Sequence, residues 1–181
     1  MSKKSIDRKA LKKAVVFGRQ DGKTDRQIYD ELSLIYFDKK SIAQAINGTV
    51  TAEREKKYKV AQVVLLVLLA VTMVLKMLVV FGISLTSGKP ALLIMVLIVP
   101  IMNLLFFVQI ARYEAPAYRL CALLTLLSLV QSFRVTSETA DIVITLILGG
   151  GIAGLSFYLS SVLFPGFRLN IEKGADGEYI Q

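Results

Sequence analysis

Histidine is absent from these 181 residues, and cysteine occurs once, as Cys121. Without imidazole the chain lacks the usual general base and the commonest metal ligand. One cysteine excludes an intramolecular disulfide and any cysteine-based zinc cage. Most familiar hydrolase and metalloenzyme chemistries have no residues to run on, so neither enzymatic activity, cofactor nor metal is expected. The third scarcity is charge. Between positions 60 and 85 the only charged residue is Lys76.

The chain is 54% hydrophobic. Soluble domains also reach about half, so the clustering of apolar residues decides the class. A hydrocarbon core of about 30 Å needs about 20 consecutive apolar residues, and the run 60–85 exceeds that. It reads as a membrane-spanning helix entered through the charged residues Glu53 to Lys59. Three more apolar stretches follow, at 91–111, 117–133 and 141–164. Pro90 suits a helix first turn, and Pro100 should kink the second span. Residues 112–116 turn the chain, with Tyr118 and Arg119 placed as interfacial anchors. Pro165 and Gly166 end the fourth span and leave a polar tail, 165–181. The expected fold class is an all-α integral membrane protein, with four transmembrane helices in 51–164 preceded by a small cytoplasmic three-helix domain in 1–50.

That front domain shows its own periodicity. Ile6, Ala10, Leu11, Ala14 and Val15 recur at helical spacing, predicting a helix over 5–18 that stops at Gly18. Thr24 and Gln27 fit a capping box for a second helix, whose buried stripe is Ile28, Leu32, Ile35 and Tyr36. Asp38 caps a third, carrying Ile42, Ala45 and Ile46, and Asn47–Gly48 stops it. Leu32 and Ile46 should be central. A core this small is marginal for a free domain, so docking against a partner or the membrane face is expected.

Charge sets the orientation. Residues 1–59 hold 15 Lys/Arg against 8 Asp/Glu, while 60–181 hold 7 against 6. Arg112, Arg119, Arg168 and Lys173 fall on the same side of the spans as the basic front end. Only Lys89 and Arg134 fall on the other, with Glu138 and Asp141 beside Arg134 as a loop ion pair. The positive-inside rule then places both termini in the cytoplasm of a multi-pass protein of a bacterial-type inner (plasma) membrane. No signal peptide is expected, because the first apolar run begins too late.

The sharpest local pattern is the run 142–155, containing Gly149, Gly150, Gly151 and Gly154, followed by Glu172. Taken alone it resembles the dinucleotide-binding fingerprint of FAD-dependent oxidoreductases. The resemblance covers about 32 residues and implies a strand, a G-x-G-x-x-G turn at Gly149, Gly151 and Gly154, a helix, and Glu172 on a ribose. Nothing upstream offers further βαβ units. Helix packing accounts for the same glycines: Gly149, Ala153, Ser156 and Ser160 share one face, and Gly150 with Gly154 form G-x-x-x-G beside it. Such a face serves packing within the bundle or between subunits. Asn103, Gln109 and Gln131 are candidates for interhelical hydrogen bonds or a polar path. Lys76 lies about 24 Å along its helix from Val60 at 1.5 Å per residue, and should snorkel to the outer interface.

Residues 24–32 and 38–46 also invite a helix-turn-helix reading, with Lys39, Lys40, Ser41 and Gln44 facing DNA. The apolar link 33–37 is longer than such motifs use, and lipid headgroups explain a basic surface beside a span more simply. Nucleic acid is therefore not an expected partner. The expected partners are membrane lipid, further copies of the chain, and a cytoplasmic protein. The expected function is a membrane-anchored interaction or regulatory subunit that self-associates through its spans and presents its helical domain. The alternative is a homo-oligomeric pore or transporter component lined by Asn103, Gln109, Gln131 and the small face of the fourth span. A flavin- or nucleotide-binding enzyme is the third.

Overall fold

The computed structural model describes the backbone of residues 7–87, 91–135 and 139–167. Among these residues there are seven helices and no strand: α1 (Arg8–Gln20), α2 (Asp25–Ile35), α3 (Lys39–Asn47), α4 (Ala52–Ser87), α5 (Ala91–Ala111), α6 (Ala115–Val135) and α7 (Thr139–Leu163). Two of them, over Ala52–Gly82 and Val143–Leu163, are long and apolar enough to cross a membrane. The chain divides into two compact units, Met1–Glu55 with Val162–Gln181, and Lys56–Ser161.

In the first unit, helix ends are set by the residues that satisfy them. Asp7 caps α1 by accepting from the Lys9 amide at 2.9 Å. Thr24 and Gln27 form the capping box reciprocally: Thr24 Oγ1 accepts from the Gln27 amide, and Gln27 Oε1 accepts from the Thr24 amide at 2.9 Å. Asp38 caps α3 through the amides of Lys40 and Ser41 and the Ser41 hydroxyl. That hydroxyl first, then the two amides and the Lys40 charge, hold the Asp38 carboxyl below its ordinary range despite slight desolvation.

Gly18 does not stop α1. The helix continues to Gln20, and a Cβ at Gly18 would lie 2.8 Å from Ile28 Cγ1, so this glycine lets α2 approach. The turn is made at Gly22, with φ +78, where the Lys23 amide donates to Gly18 O and the Gly22 amide to Arg19 O. That paired pattern is a Schellman close with glycine in its left-handed position.

The core of this unit is Leu11, Val15, Ile28, Tyr29, Leu32, Ile42, Ala43, Ala45 and Ile46, with Ala14 and Tyr36 against it. Three expectations change. Ala10 is exposed. Ile35 is 52% exposed, and Tyr29 is buried instead, because the core closes on the first half of α2 and the helix ends at Ile35. The α2–α3 link is only Tyr36, Phe37 and Asp38, since α2 runs further than its polar pattern suggests; its length no longer argues against a helix-turn-helix. The third helix buries Ile42, Ala43, Ala45 and Ile46, while Lys39 is exposed and Lys40, Ser41 and Gln44 are partly so. Ile6 lies outside the described residues.

The C-terminal end of α3 is the best-connected point of this unit. Arg19 donates from Nη1 to Thr49 O at 2.8 Å and from Nη2 to Ile46 O at 3.1 Å. The same guanidinium grips Asp25 with Nε at 2.8 Å and Nη2 at 3.0 Å. From the far end of the sequence, the turn Phe164 to Phe167 packs here too. A Cβ on Gly166 would lie 2.9 Å from Asn47 Oδ1, and one on Gly48 would lie 3.5 Å from the Phe167 ring. Leu163, Phe164 and Phe167 are buried. The turn after α7 thus adds a contact from within the chain to this small core.

In the second unit α5 runs unbroken through Pro100, and α5 and α6 form an antiparallel hairpin. The hairpin turns at Tyr113, which has φ 53 although it is not glycine. Its amide donates to Ile110 O and the Glu114 amide to Gln109 O, the same double close that ends α1. The glycine run Gly149–Gly150–Gly151 lies inside continuous α7. The strand–turn–helix of a dinucleotide fingerprint is absent there, because an uninterrupted apolar segment continues its own helical hydrogen bonding through the glycines. Glu172, Lys89, Arg168, Lys173, the side chains of Arg134 and Asp141, Glu138, and the tail beyond Phe167 lie outside the described residues.

Removing the Arg19 clamp tests this account. Arg19→Ala strips two carbonyls at the α3 end and one carboxylate, and should cost about 2–3 kcal/mol for hydrogen bonds to a charged group that is largely shielded. Asp25→Ala should cost less, because that carboxylate is half exposed. Amide exchange in the full-length protein should show α3 opening more often in Arg19→Ala. Unchanged protection there would mean that water closes α3 equally well.

Candidate functional site

The small residues of α7 divide between two faces. Gly149, Ala153, Ser156 and Ser160 point into the second unit, with Ala153, Ser156 and Ser160 buried. Ile152, Leu159 and Leu163 are buried along the same side, giving the three- and four-residue spacing of a packed helix face. A Cβ on Gly149 would come within 2.7 Å of Leu129 Cδ2, so this glycine makes room for an α6 side chain. Ser160 accepts from Arg119 Nε at 3.2 Å, a second tie between α6 and α7. Gly151 only approaches Leu68 of α4, at 3.8 Å. Near the other end of the helix pair, Tyr58 and Tyr158 meet edge to face, 6.2 Å between centroids.

Gly150 and Gly154 behave differently. A Cβ at either position meets nothing within 4 Å, and both sit on the exposed face with Val143, Ile144, Ile147, Phe157 and Tyr158. The G-x-x-x-G pair is therefore an outward-facing groove in an apolar surface. Packing inside the chain uses Gly149 and its buried companions.

The polar side chain that matters most inside this unit is Gln62, which hydropathy reading passes over. It is 4% exposed, and its Nε2 donates to Ile110 O at 2.9 Å. Tyr118 Oη donates to the same oxygen at 3.2 Å. Tyr118, expected at an interface, is instead wholly buried. Its ring turns inward because the carbonyl near the α5 end offers its hydroxyl a partner that an apolar surround does not. Side chains of α4 and α6 thus converge on the last turn of α5. Asn103 and Gln109 are half-buried, while Gln131 is exposed, so these three do not share one buried environment. Lys76 lies on an exposed face of α4.

The first unit carries an apolar surface of its own. Leu34 is 76% exposed, Ile35 52% and Phe37 75%, clustered by sequence at the α2–α3 corner. Asp30, Glu31, Asp38 and Lys39, all exposed, flank them along the chain, and Glu31 is paired with Lys23 at 2.7 Å. On α1, Val16 and Phe17 are also exposed. Among the described residues no three His, Cys, Asp or Glu side chains gather as a metal ion would require. No protein-family model, curated protein or solved structure matches this chain.

The two glycine faces predict different mutants. Gly149→Leu forces a side chain into Leu129, and such overpacking should cost about 1–3 kcal/mol. Gly154→Leu finds open space and gains helix propensity, so the stability of the single chain should hold or rise slightly. Thermal melting in detergent separates the pair, and sedimentation of Gly154→Leu reads any association made through the outer groove. Equal melting of the two mutants would contradict the division of faces.

Proposed function

We propose that this chain is a four-span membrane protein with both termini on the cytoplasmic side, serving as a membrane-anchored interaction or regulatory subunit. In this reading α4 to α7 are the spans, and α1 to α3 present a docking surface to a cytoplasmic protein. Two of the helices have the length and composition to cross. The 21-residue α5 and α6 reach about 31 Å at 1.5 Å per residue, enough for a hydrocarbon core. Self-association would use the groove at Gly150 and Gly154, where backbones can approach closely in lipid.

The observation that carries the interaction role is the corner formed by Leu34, Ile35 and Phe37. Three large apolar side chains standing in water on a small helical domain are a feature that monomeric surfaces avoid unless a partner covers them. Charges of both signs lie beside them: Asp30 and Asp38 against Lys39 and Lys40, with Glu31 paired to Lys23 at 2.7 Å. A protein groove with an apolar floor and a mixed-charge rim fits.

Two experiments test this reading. In a Cys121→Ser background, Thr86→Cys should be labelled by an impermeant reagent outside intact cells, and Gln20→Cys only after permeabilisation. External labelling of Gln20→Cys would reverse the orientation. A photocrosslinking residue at Leu34 should trap one discrete protein adduct in cells, lost on adding Phe37→Asp, while the same crosslinker at Gln20 traps none. An adduct indifferent to Phe37→Asp, or none at all, would remove the docking role.

A further inference from the structure

The outer face of α1 is basic, whereas charges of both signs flank the α2–α3 corner. Lys9, Lys13 and Phe17 stand at i, i+4 and i+8, with Val16 beside them, and all four are exposed. Leu11, Val15 and Gly18 face the core on the other side. The helix is thus apolar twice over, once toward the core and once outward at Val16 and Phe17. From Arg8 to Gln20 it carries five basic residues and no acid. One of them, Arg19, is turned inward to α3, which leaves the lysines to define the outer surface.

We propose that this face of α1, made of Lys9, Lys13, Val16 and Phe17, settles on an anionic phospholipid surface. The proposal rests on the membrane reading of the spans given above. Lipid is the occupant that uses all four residues. Phosphate headgroups attract the two ammonium groups, and the lysine stems lie along the interface. Val16 and Phe17 enter the boundary between headgroups and acyl chains. Nucleic acid would take the lysines, and a base can stack on Phe17, but it offers nothing to Val16. Affinity need not be high. The helix α4 is continuous from Ala52 to Ser87, so an anchored chain keeps its first unit near the bilayer, at a high effective concentration.

The chain contains no tryptophan, so Phe17→Trp is a single fluorescent reporter at an exposed site. The full chain is reconstituted in nanodiscs with a tryptophan-free scaffold. The lipid is phosphatidylcholine alone or mixed with phosphatidylglycerol, in each case with brominated acyl chains as quencher. Emission from Phe17→Trp should shift to the blue and be quenched in the mixed discs, and remain solvent-like in phosphatidylcholine. High salt, or Lys9→Gln with Lys13→Gln, should abolish the shift. Val67→Trp, at an exposed position on α4, reads the membrane assignment separately and should be quenched in both discs. Solvent-like Phe17→Trp emission beside a quenched Val67→Trp overturns the docking proposal alone. An unquenched Val67→Trp overturns the membrane reading and this proposal with it. Equal quenching of Phe17→Trp in both lipids overturns recognition of negative charge. A blue shift produced only by adding duplex DNA overturns lipid as the occupant.

Discussion

The backbone carbonyls at the end of α3 are the constraint on which the first unit depends. A helix leaves its last four carbonyls without intrahelical partners, and a nine-residue helix has few others to spare. Here α1 supplies Arg19 to Ile46 O and Thr49 O, α2 supplies Asp25 to hold the guanidinium, and the turn after α7 lays Gly166 and Phe167 across Asn47 and Gly48. Four segments distant in sequence meet where one helix would otherwise fray. Their convergence also explains why the unit needs both ends of the described chain. The apolar core of α1 to α3 is small, and Phe167 adds a buried ring against Gly48.

The second unit solves the same problem with different residues. At the α5–α6 turn the left-handed position is Tyr113, where α1 uses Gly22. A side chain at positive φ costs about 1–2 kcal/mol, so the surrounding contacts must favour this turn strongly enough to hold it. Gln62 and Tyr118 both donate to Ile110 O, next to that turn. In an apolar surround such donors cannot turn to water, and a shared carbonyl is a way to satisfy two at once. Close approach between helices then falls to small residues, Gly149 against Leu129 and Ala153, Ser156 and Ser160 along the same face.

Local signals were legible in the sequence, and facing was less so. The capping box of Thr24 and Gln27, the Asp38 cap and the buried positions Leu32, Ile42 and Ile46 depend on nearest neighbours, and spacing alone reveals them. The role of Gly18 was hidden, because a glycine near a helix end looks like a stop unless Ile28 is known to lie against it. Tyr29 and Ile35 exchange places because their burial depends on where α1 and α3 cross α2, a tertiary fact. Gln62 and Tyr118 are misread by hydropathy for a related reason: a polar atom inside an apolar helix is priced by its partner, and the partner is a backbone oxygen 48 residues away for Gln62. The glycine run shows the opposite risk. Its spacing satisfies a turn motif letter by letter, yet no neighbouring strand exists among the described residues to make that turn useful.

Charge separates the two apolar surfaces of the first unit more sharply than hydrophobicity does. Leu34, Ile35 and Phe37 stand among charges of both signs, Asp30, Asp38, Lys39 and the Lys23–Glu31 pair, whereas Val16 and Phe17 stand on a helix with Lys9, Lys13 and no acid. Near an anionic leaflet the potential attracts the second set more than the first, over a range set by a Debye length of about 8 Å at physiological salt. Two patches of similar apolar character are therefore not interchangeable. In the proposed reading the basic one would go to lipid and the mixed-charge one to a protein partner. With both patches carried on one small core pinned at the end of α3, a partner binding Leu34 and Phe37 and a bilayer binding Lys13 and Phe17 act on the same folded unit. Any influence between them would pass through the shared core of Leu11, Val15, Ile28 and Ile42 and through Arg19, whose guanidinium is a hydrogen-bonded link joining α1, α2 and the end of α3.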